Sequence, residues 1–541
     1  MIRRAMVVWL VVINSLFANT YFVNNTNGSD SNNGLTKNSA FETIQRALNY
    51  LSPGDTCLVQ PGSYTGRIVI DESGQQNSPI TFIANGNGVV TQGFTINEAN
   101  YIQIIGFEIT NIPSSWNWNN RHGVTIFGSY NVIRDNYIHE IYWNGVRVDE
   151  NGSFNSHDNL ILNNTMYKCG ECGIEVNGSN NTVQGNDISR TQEWNLSDGG
   201  DRDADGLRFS GHGHKIIGNY IHDIYISDPE NGSAHVDCIQ TWGPAYDIIF
   251  EKNTFSVNDV TTETQTAQLE DLNNPVYNLS FYNNIIKNCY RGFNTTSVEG
   301  CKWFNNSFIN VANYPILLHD GCTGVKVYNN LFYNTGPMIM GNSSVSGFEK
   351  DYNAHYRSNS GNLQTLIIES KSQQPAPHEL VNVNPLLTDV AGNNFEQSQN
   401  SPLNDAGYDL SSMGVNTDIR GLSRPQNNNF DIGAYEVNFV TSVGNEVAPD
   451  EFALQQNYPN PFNPTTTIGF TVPVDAYVTI SVYNVIGEKV SEILNEEFTA
   501  GTNKVVFNAD GLPSGIYFYK IDAIGKEGSH YTSIKKMTLI K

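Results

Sequence analysis

Two neighbouring stretches concentrate side chains able to do chemistry: DRDADGLRFSGHGH, residues 201–214, and AHVDCIQTW, residues 234–242. Asp205 and Asp237 each stand just ahead of a short alternation of apolar and polar residues. If those alternations stack as adjacent strands, the two carboxylates lie about 5 Å apart. Such a pair supports two chemistries. With Asp203 as a further ligand, Asp205 and Asp237 can hold Ca2+, which binds a uronate carboxylate, acidifies the proton beside it and permits β-elimination. Alternatively, one acid and one carboxylate flank a glycosidic bond. A gap of about 5 Å then suits retention, and the wider gap that Glu175 offers, at roughly 10 Å from Asp237, suits inversion. His212, His235 and Lys215 are candidate bases, an imidazole being the easiest because it titrates near neutral pH. An arginine base needs a large pKa shift, so Arg147 and Arg208 are better suited to gripping a substrate carboxylate. Gln240 adds a polar contact, and Trp242 can stack on a sugar face. One geometric condition applies. Strict alternation turns Asp205 and Asp237 inward, because Gly206 and Arg208 face out, so a bend at the glycine is needed to bring the carboxylates to the surface.

These residues must be positioned by a repeat. The phrase apolar, any, any, Asn, any, apolar recurs around Asn136, Asn164, Asn186, Asn219, Asn253, Asn284, Asn306 and Asn330. The intervals run from 22 to 34 residues. That is too irregular for helical repeats and suits coils with loops of variable length. Short strands rich in Ile, Val and Phe alternate with polar residues, so each coil sends one row of side chains inward and one outward. Stacked coils pair every strand with its neighbours, and the repeated Asn forms an internal ladder. The expected architecture is all-β: a right-handed parallel β-helix over about residues 100–345, roughly 35 Å long for eight coils at about 4.8 Å each.

Aligning the coils on their asparagines brings outward positions into columns. The first reads Arg147, Glu175, Arg208, Gln240, Gln268 and Asn294. The second reads Asp149, Asn177, Ser210, Trp242, Glu270, Thr296 and His319. Arg, Glu, Trp and His on neighbouring coils are the composition of a binding groove rather than of a plain solvated face.

Ahead of the repeats, residues 21–64 contain a stretch with helical spacing from Ala40 to Leu51, suited to capping the open end of a solenoid. This segment resembles the start of secreted β-helix proteins, including polysaccharide lyases of the chondroitinase and family 9 pectate-lyase types. The order DADG, then HVDC, is similar to the family 9 pectate lyases, in which an Asp before Gly and a cluster of Asp on the next coil bind calcium. It is also similar to polygalacturonases, in which carboxylates on successive coils carry hydrolysis. The chain departs from both patterns. Gln240 stands where the lyase pattern has another Asp, Val236 breaks the paired carboxylates, and Asn294 lies on the strand where the lyase base Lys is expected. NSPLNDAGYD (400–409) and TDIRGLSRPQNNNFDIGAYE (417–436) resemble the closing segment of such proteins. After a linker at 437–451, residues 452–541 alternate with period two between Pro and Gly turns, hence an immunoglobulin-like antiparallel sandwich. This stretch resembles the C-terminal sorting domain of type IX secretion substrates, which implies the type IX secretion machinery as a partner.

Thirty Lys and Arg stand against 54 Asp and Glu, a net charge of -24, which provides no basic stripe for nucleic acid. Residues 1–18 carry Arg3 and Arg4, an apolar run and then small Ala18, the layout of a signal peptide, and no other stretch is apolar enough to span a membrane. Seven cysteines are few and odd in number; Cys169 and Cys172 form a CxxC without the partners of a zinc site. The chain reads as a monomeric secreted or cell-surface protein: a 19–436 β-helix domain that cleaves a polysaccharide, as a lyase ahead of a glycoside hydrolase. A non-catalytic adhesin is the alternative from another class.

Overall fold

The computed structural model describes residues 18–111, 121–149, 156–192, 203–224, 236–260, 265–270, 275–358, 366–368, 374–438, 451–457, 460, 462–484, 487–513, 515–526 and 528–539. The signal-peptide residues 1–17 and most of the linker therefore lie outside it. The chain divides into two compact units, residues 1–439 and 440–541.

The first unit is a right-handed parallel β-helix built, among the described residues, from three parallel sheets of 13 strands each. The first sheet runs from Thr20–Val23 to Glu349–Asp351, the second from Ile68–Ile70 to Leu366–Ile368 and the third from Gly62–Tyr64 to Leu380–Val381. Coils thus begin far ahead of residue 100. Strands at 56–59, 80–84 and 102–105 stack in register without the asparagine phrase. The expected capping helix is shorter than its apolar spacing implied, Ile44–Leu48, because the Thr43 side chain accepts from the Arg46 N–H and starts it late. Ile44 and Ala47 still close the core end.

Every repeat asparagine named from the sequence lies in one buried ladder. Asn136 Nδ2 donates to Asn164 Oδ1 (2.9 Å), and Asn164, Asn186, Asn219, Asn253, Asn284, Asn306 and Asn330 continue at 2.9–3.0 Å to Asn353. Each carboxamide oxygen also accepts the backbone N–H of the preceding asparagine, as Asn253 Oδ1 does from Asn219 at 2.9 Å. The residue ahead of each rung takes a left-handed conformation, which Asn283, Asn305, Asn329, Gly185 and Gly218 tolerate at little cost. That explains the recurring Asn-Asn and Gly-Asn pairs.

A second column governs the outer face of the second sheet. Gly123, Gly145, Gly173 and Gly206 precede the register-matched Val124, Val146, Ile174 and Leu207. A Cβ on Gly206 would lie 2.3 Å from Ile221 Cγ2 and 2.6 Å from the Cys238 carbonyl; on Gly173, 2.4 Å from Ile188 Cγ2. These glycines therefore face the core beside an inward Val, Ile or Leu, and alternation is broken. The residue before each glycine turns to the outer face, together with the residue two places after it.

The segment 395–435 lies along the other two sheets: Phe395, Leu403, Ile432 and Ala434 pack on Ile285, Ile309 and Leu331, and Leu410 and Phe430 on Tyr282 and Phe304. All seven cysteines are free and buried, and burial pushes the Cys169 thiol up to about 12, so the CxxC is structural. The second unit is an antiparallel sandwich. One sheet holds Ala453–Leu454, Thr465–Val472 and Gly501–Asn508; the other holds Lys489–Phe498, Ala476–Tyr483, Gly515–Gly525 and His530–Leu539. Its core includes Ile468, Phe470, Val478, Ile480 and Tyr519.

Two substitutions test these columns by denaturant unfolding. Asn253→Ala strands the Asn219 donors and takes the side-chain donor from the Ile216 carbonyl, and should cost the β-helix about 2–4 kcal/mol, whereas Asn97→Ala at an exposed site should change stability by less than about 0.5 kcal/mol. Equal effects would remove the ladder's importance. Gly206→Ala should destabilise by about 1–3 kcal/mol through overpacking, instead of the small gain that Gly→Ala gives at an unstrained site.

Candidate active site on the second sheet

The register confirms the first outward column read from the sequence: Arg147 pairs with Glu175, Glu175 with Arg208, Arg208 with Gln240, Gln240 with Gln268 and Gln268 with Asn294. In the second column Glu270, Thr296 and His319 are likewise matched. Trp242 lies in the strand Asp237–Tyr246, but its side chain is outside the described residues, as is the whole of His235.

Asp205 and Asp237 do occupy equivalent places on successive coils, and the Asp237 N–H donates to Asp205 Oδ1 at 2.9 Å. The bend that was needed at Gly206 is present. It arises because the glycine faces inward, not outward as strict alternation implied, and it lets Asp205 meet Arg208 on the outer face. Exposure does not follow. Asp205 and Asp237 are both 0% exposed. Arg208 lies over them, its Nε donating to Asp205 Oδ2 (2.8 Å), its Nη1 to Glu171 Oε1 (2.8 Å) and its Nη2 lying 3.0 Å from Asp203 Oδ2. With its amide nitrogen turned to the carboxylates, Gln240 donates to Asp205 Oδ2 at 2.6 Å.

Burial pushes the Asp205 carboxyl up; Arg208 opposes this, and the charges of Asp237 and Asp203 add to it. Burial works against the Arg208 charge, yet the Asp205 and Glu171 carboxyl groups beside it hold the guanidinium firmly protonated. A cation of the chain's own thus stands among Asp203, Asp205 and Glu171, where a calcium ion was expected. Among the described residues no three acidic, imidazole or thiol groups converge as a metal cage. With Arg208 there, Asp203, Asp205 and Asp237 do not fit Ca2+. Nor is Arg208 open to substrate, since its side chain is 2% exposed.

Arg147 and Glu175 present a different picture two coils and one coil before Arg208. Arg147 Nε lies 3.0 Å from Asp149 Oδ2 and Nη2 lies 3.5 Å from Glu175 Oε1, while a fifth of the side chain stays at the surface. Glu175 accepts from the Asn144 and Asn177 side chains. His212 is not with them. It lies seven residues along from Asp205, its ring stacked on Tyr246 at 4.9 Å, and Tyr246 stacked on Tyr277. Lys215, exposed, starts the next strand of the first sheet.

Four residues of this face were missed: Arg67, Arg121, His122 and Glu171. Burial holds Glu171 above the usual carboxylate range, with Arg208 opposing and Glu175 adding to the shift. The signal for three of them was the glycine column itself. Arg121-His122-Gly-Val, Glu171-Cys172-Gly-Ile and Ala204-Asp205-Gly-Leu are equivalent phrases.

Residues 21–201 match the family model described as Pel9A-like, right handed beta helix region; residues 155–332 match a right handed beta helix region; and residues 456–537 match a secretion system C-terminal sorting domain. The chain is 25% identical over 158 residues to pectate lyase L of Dickeya dadantii (strain 3937), covering 26% of this chain and 36% of that protein. It is 28% identical over 238 residues to a cell surface glycoprotein of Methanothermus fervidus, covering 38% and 37%. The chain spans about a third of the length of the curated relatives it matches. Among solved structures, pectate lyase Pel9A gives a TM-score of 0.46 at 16% identity over 78% of this chain and 96% of that one. A complex of XylC with xylose gives 0.46 at 13% identity, over 77% and 98%. The sorting domain marks the chain for passage across an outer membrane to the surface or beyond. Among the described residues no helix is long and apolar enough to cross a membrane. The chain is a right-handed parallel β-helix protein with a Pel9A-like region at residues 21–201 and a C-terminal secretion sorting domain.

Proposed function

We propose that the protein is an exported carbohydrate-active enzyme that cleaves a uronate-containing polysaccharide by β-elimination on the outer face of the second sheet. The observation that carries this reading is the Arg147, Glu175, Arg208 column with Glu171 beside it: a partly exposed arginine against Glu175, then Glu171 held by a second arginine two coils on from the first. In β-elimination the proton beside the uronate carboxylate passes to the Glu175 carboxylate next to Arg147, the bond to the glycosidic oxygen breaks, and a ring double bond forms. Binding the carboxylate to a guanidinium lowers the cost of the negative charge that develops there. Arg147, oriented by Asp149 and Glu175, serves that role. Glu171, protonated more readily than an ordinary carboxyl, gives a proton to the departing oxygen. Arg208 positions Glu171 and Asp203. Calcium enters none of these steps.

The same Glu171, with Glu175 as its electrostatic neighbour, favours the second reading, a glycoside hydrolase in which one carboxyl protonates the leaving oxygen. The product separates the two. Incubation of the mature protein with uronate-containing and neutral polysaccharides, with calcium and with chelator, should give an ultraviolet-absorbing unsaturated uronate under both conditions. Reducing ends without that absorbance would assign hydrolysis, and no product from any glycan would leave a non-catalytic surface protein. Glu171→Gln should lower kcat by about 100-fold with KM little changed, and Arg147→Lys should raise KM by losing bidentate contact. Wild-type kinetics in Glu171→Gln would contradict the assignment.

A further inference from the structure

At the start of the same face, three arginines surround one buried imidazole. His122 is 4% exposed and stands at the coil position that Asp205 occupies three coils later. Arg121 Nε lies 3.0 Å from His122 Nε2. An arginine Nε–H can only donate, so Nε2 accepts, and the single proton of the neutral ring is on Nδ1. Burial, then the charges of Arg147, Arg121 and Arg67, hold the ring well below its ordinary pKa and therefore neutral. Its Nδ1–H is buried with no acceptor among the described residues. An unmatched buried donor of this kind costs about 1–3 kcal/mol.

Arg67 makes the same point independently. Its guanidinium donates to Thr95 Oγ1 (2.6 Å), Thr125 Oγ1 (3.1 Å), the His122 carbonyl (2.6 Å) and the Phe94 carbonyl, all neutral acceptors. Among the described residues it makes no ion pair, and burial pulls it down to about 9. Thr125 is register-matched to Arg147, so the two guanidinium groups lie over adjacent coils, about 5 Å per step. Arg147 has Asp149 and Glu175, and Arg121 lies in the field of Glu171. Arg67 is the one of the three whose partners among the described residues are all neutral. It sits beside the buried, unmatched His122 N–H, on a face where Arg67 and Arg147 both keep part of their surface.

We propose that Arg67, His122 and Arg147, with Arg121 behind them, form a binding site for a singly charged oxyanion carried on a sugar ring, a carboxylate or a sulfate ester. Two guanidinium groups supply paired donors that match a planar carboxylate or a sulfate ester, and the imidazole N–H supplies a third donor. The inference rests on the proposed function only for the glycan; the site binds whether or not cleavage follows. Arg147, two coils before Arg208, is common to this site and to the proposed cleavage site, so Arg67 and His122 complete the grip on the ring whose anionic group Arg147 holds.

The test is calorimetric titration of the full chain, in chelator, with oligogalacturonate, oligoglucuronate and oligomannuronate, each beside its carboxyl-reduced counterpart, and with a sulfated galactan oligosaccharide. At least one acidic oligosaccharide should bind, its neutral counterpart should bind at least tenfold more weakly, and Arg67→Met should lose about 10–100-fold in affinity. Loss in Arg67→Met with a uronate assigns the carboxylate, and the same loss with the sulfated galactan alone assigns the sulfate ester. Because Arg67→Met can disturb the sheet, Arg67→Lys provides a second variant: it should retain binding of the same oligosaccharide at reduced affinity while unfolding like the wild type. Equal binding of acidic and reduced oligosaccharides, no binding of any acidic probe, or wild-type affinity in a folded Arg67→Met would overturn the site. Expected binding without any unsaturated product would sink the elimination reading alone. Product formation with wild-type KM in Arg67→Met would sink this site alone.

Discussion

Stacking of each coil on the next through a buried carboxamide is the constraint on which the rest of the molecule depends. From Asn136 to Asn353 each rung satisfies a backbone N–H and an amide of the rung before it. A buried donor left unmatched is costly, so the ladder fixes the register of every strand that leaves the corner. Register in turn decides which side chains share a column. The encounter of Arg147 with Glu175, or of Arg208 with Gln240, is thus set at a corner on another part of the coil. Loops of unequal length between the rungs leave that register unchanged.

The glycine column adds what register alone cannot. A period-two strand shows one residue in two to solvent. Placing Gly123, Gly145, Gly173 and Gly206 against the core lets His122, Asn144 and Asp205 join Thr125, Glu175 and Arg208 on the outer face. The face gains a second row of polar groups by using core positions too tight for any residue but glycine. Most of the buried charge on it is offset within the chain: Arg208 against Asp203, Asp205 and Glu171, and Arg147 against Asp149 and Glu175. Breaking one member of such a set leaves a buried charge exposed to the full desolvation penalty. The arrangement is stiff, and that suits a surface that must meet a repeating glycan in one register.

Much of this was legible in the residues, and the failures have physical reasons. The eight asparagines and the first outward column were readable because a ladder needs the same residue at the same place in every coil. The coils before residue 100 were not, because strands such as Thr56–Val59 and Ile80–Ala84 turn their corners without a buried asparagine and without the recurring phrase. The helix over 40–51 was overlong because apolar spacing marks a buried face without marking where a cap begins it. Asp205 and Asp237 were correctly set on successive coils but read as metal ligands, since nothing in a linear pattern shows that Arg208 folds back over the residue three places before it. His122 and Arg67 were missed for a related reason. Each acquires its meaning only from neighbours on other coils.

The central claim is that the outer face of the second sheet, from Arg67 to Arg208, is the surface that meets an acidic glycan. A crystal structure of the protein with an acidic oligosaccharide bound tests it most directly. The account predicts density along that face, with an anionic substituent against Arg67, His122 and Arg147 and the chain running across the coils toward Glu171. An oligosaccharide seated instead on the first or third sheet, or lying on the second with its neutral hydroxyls against the arginines, would contradict it.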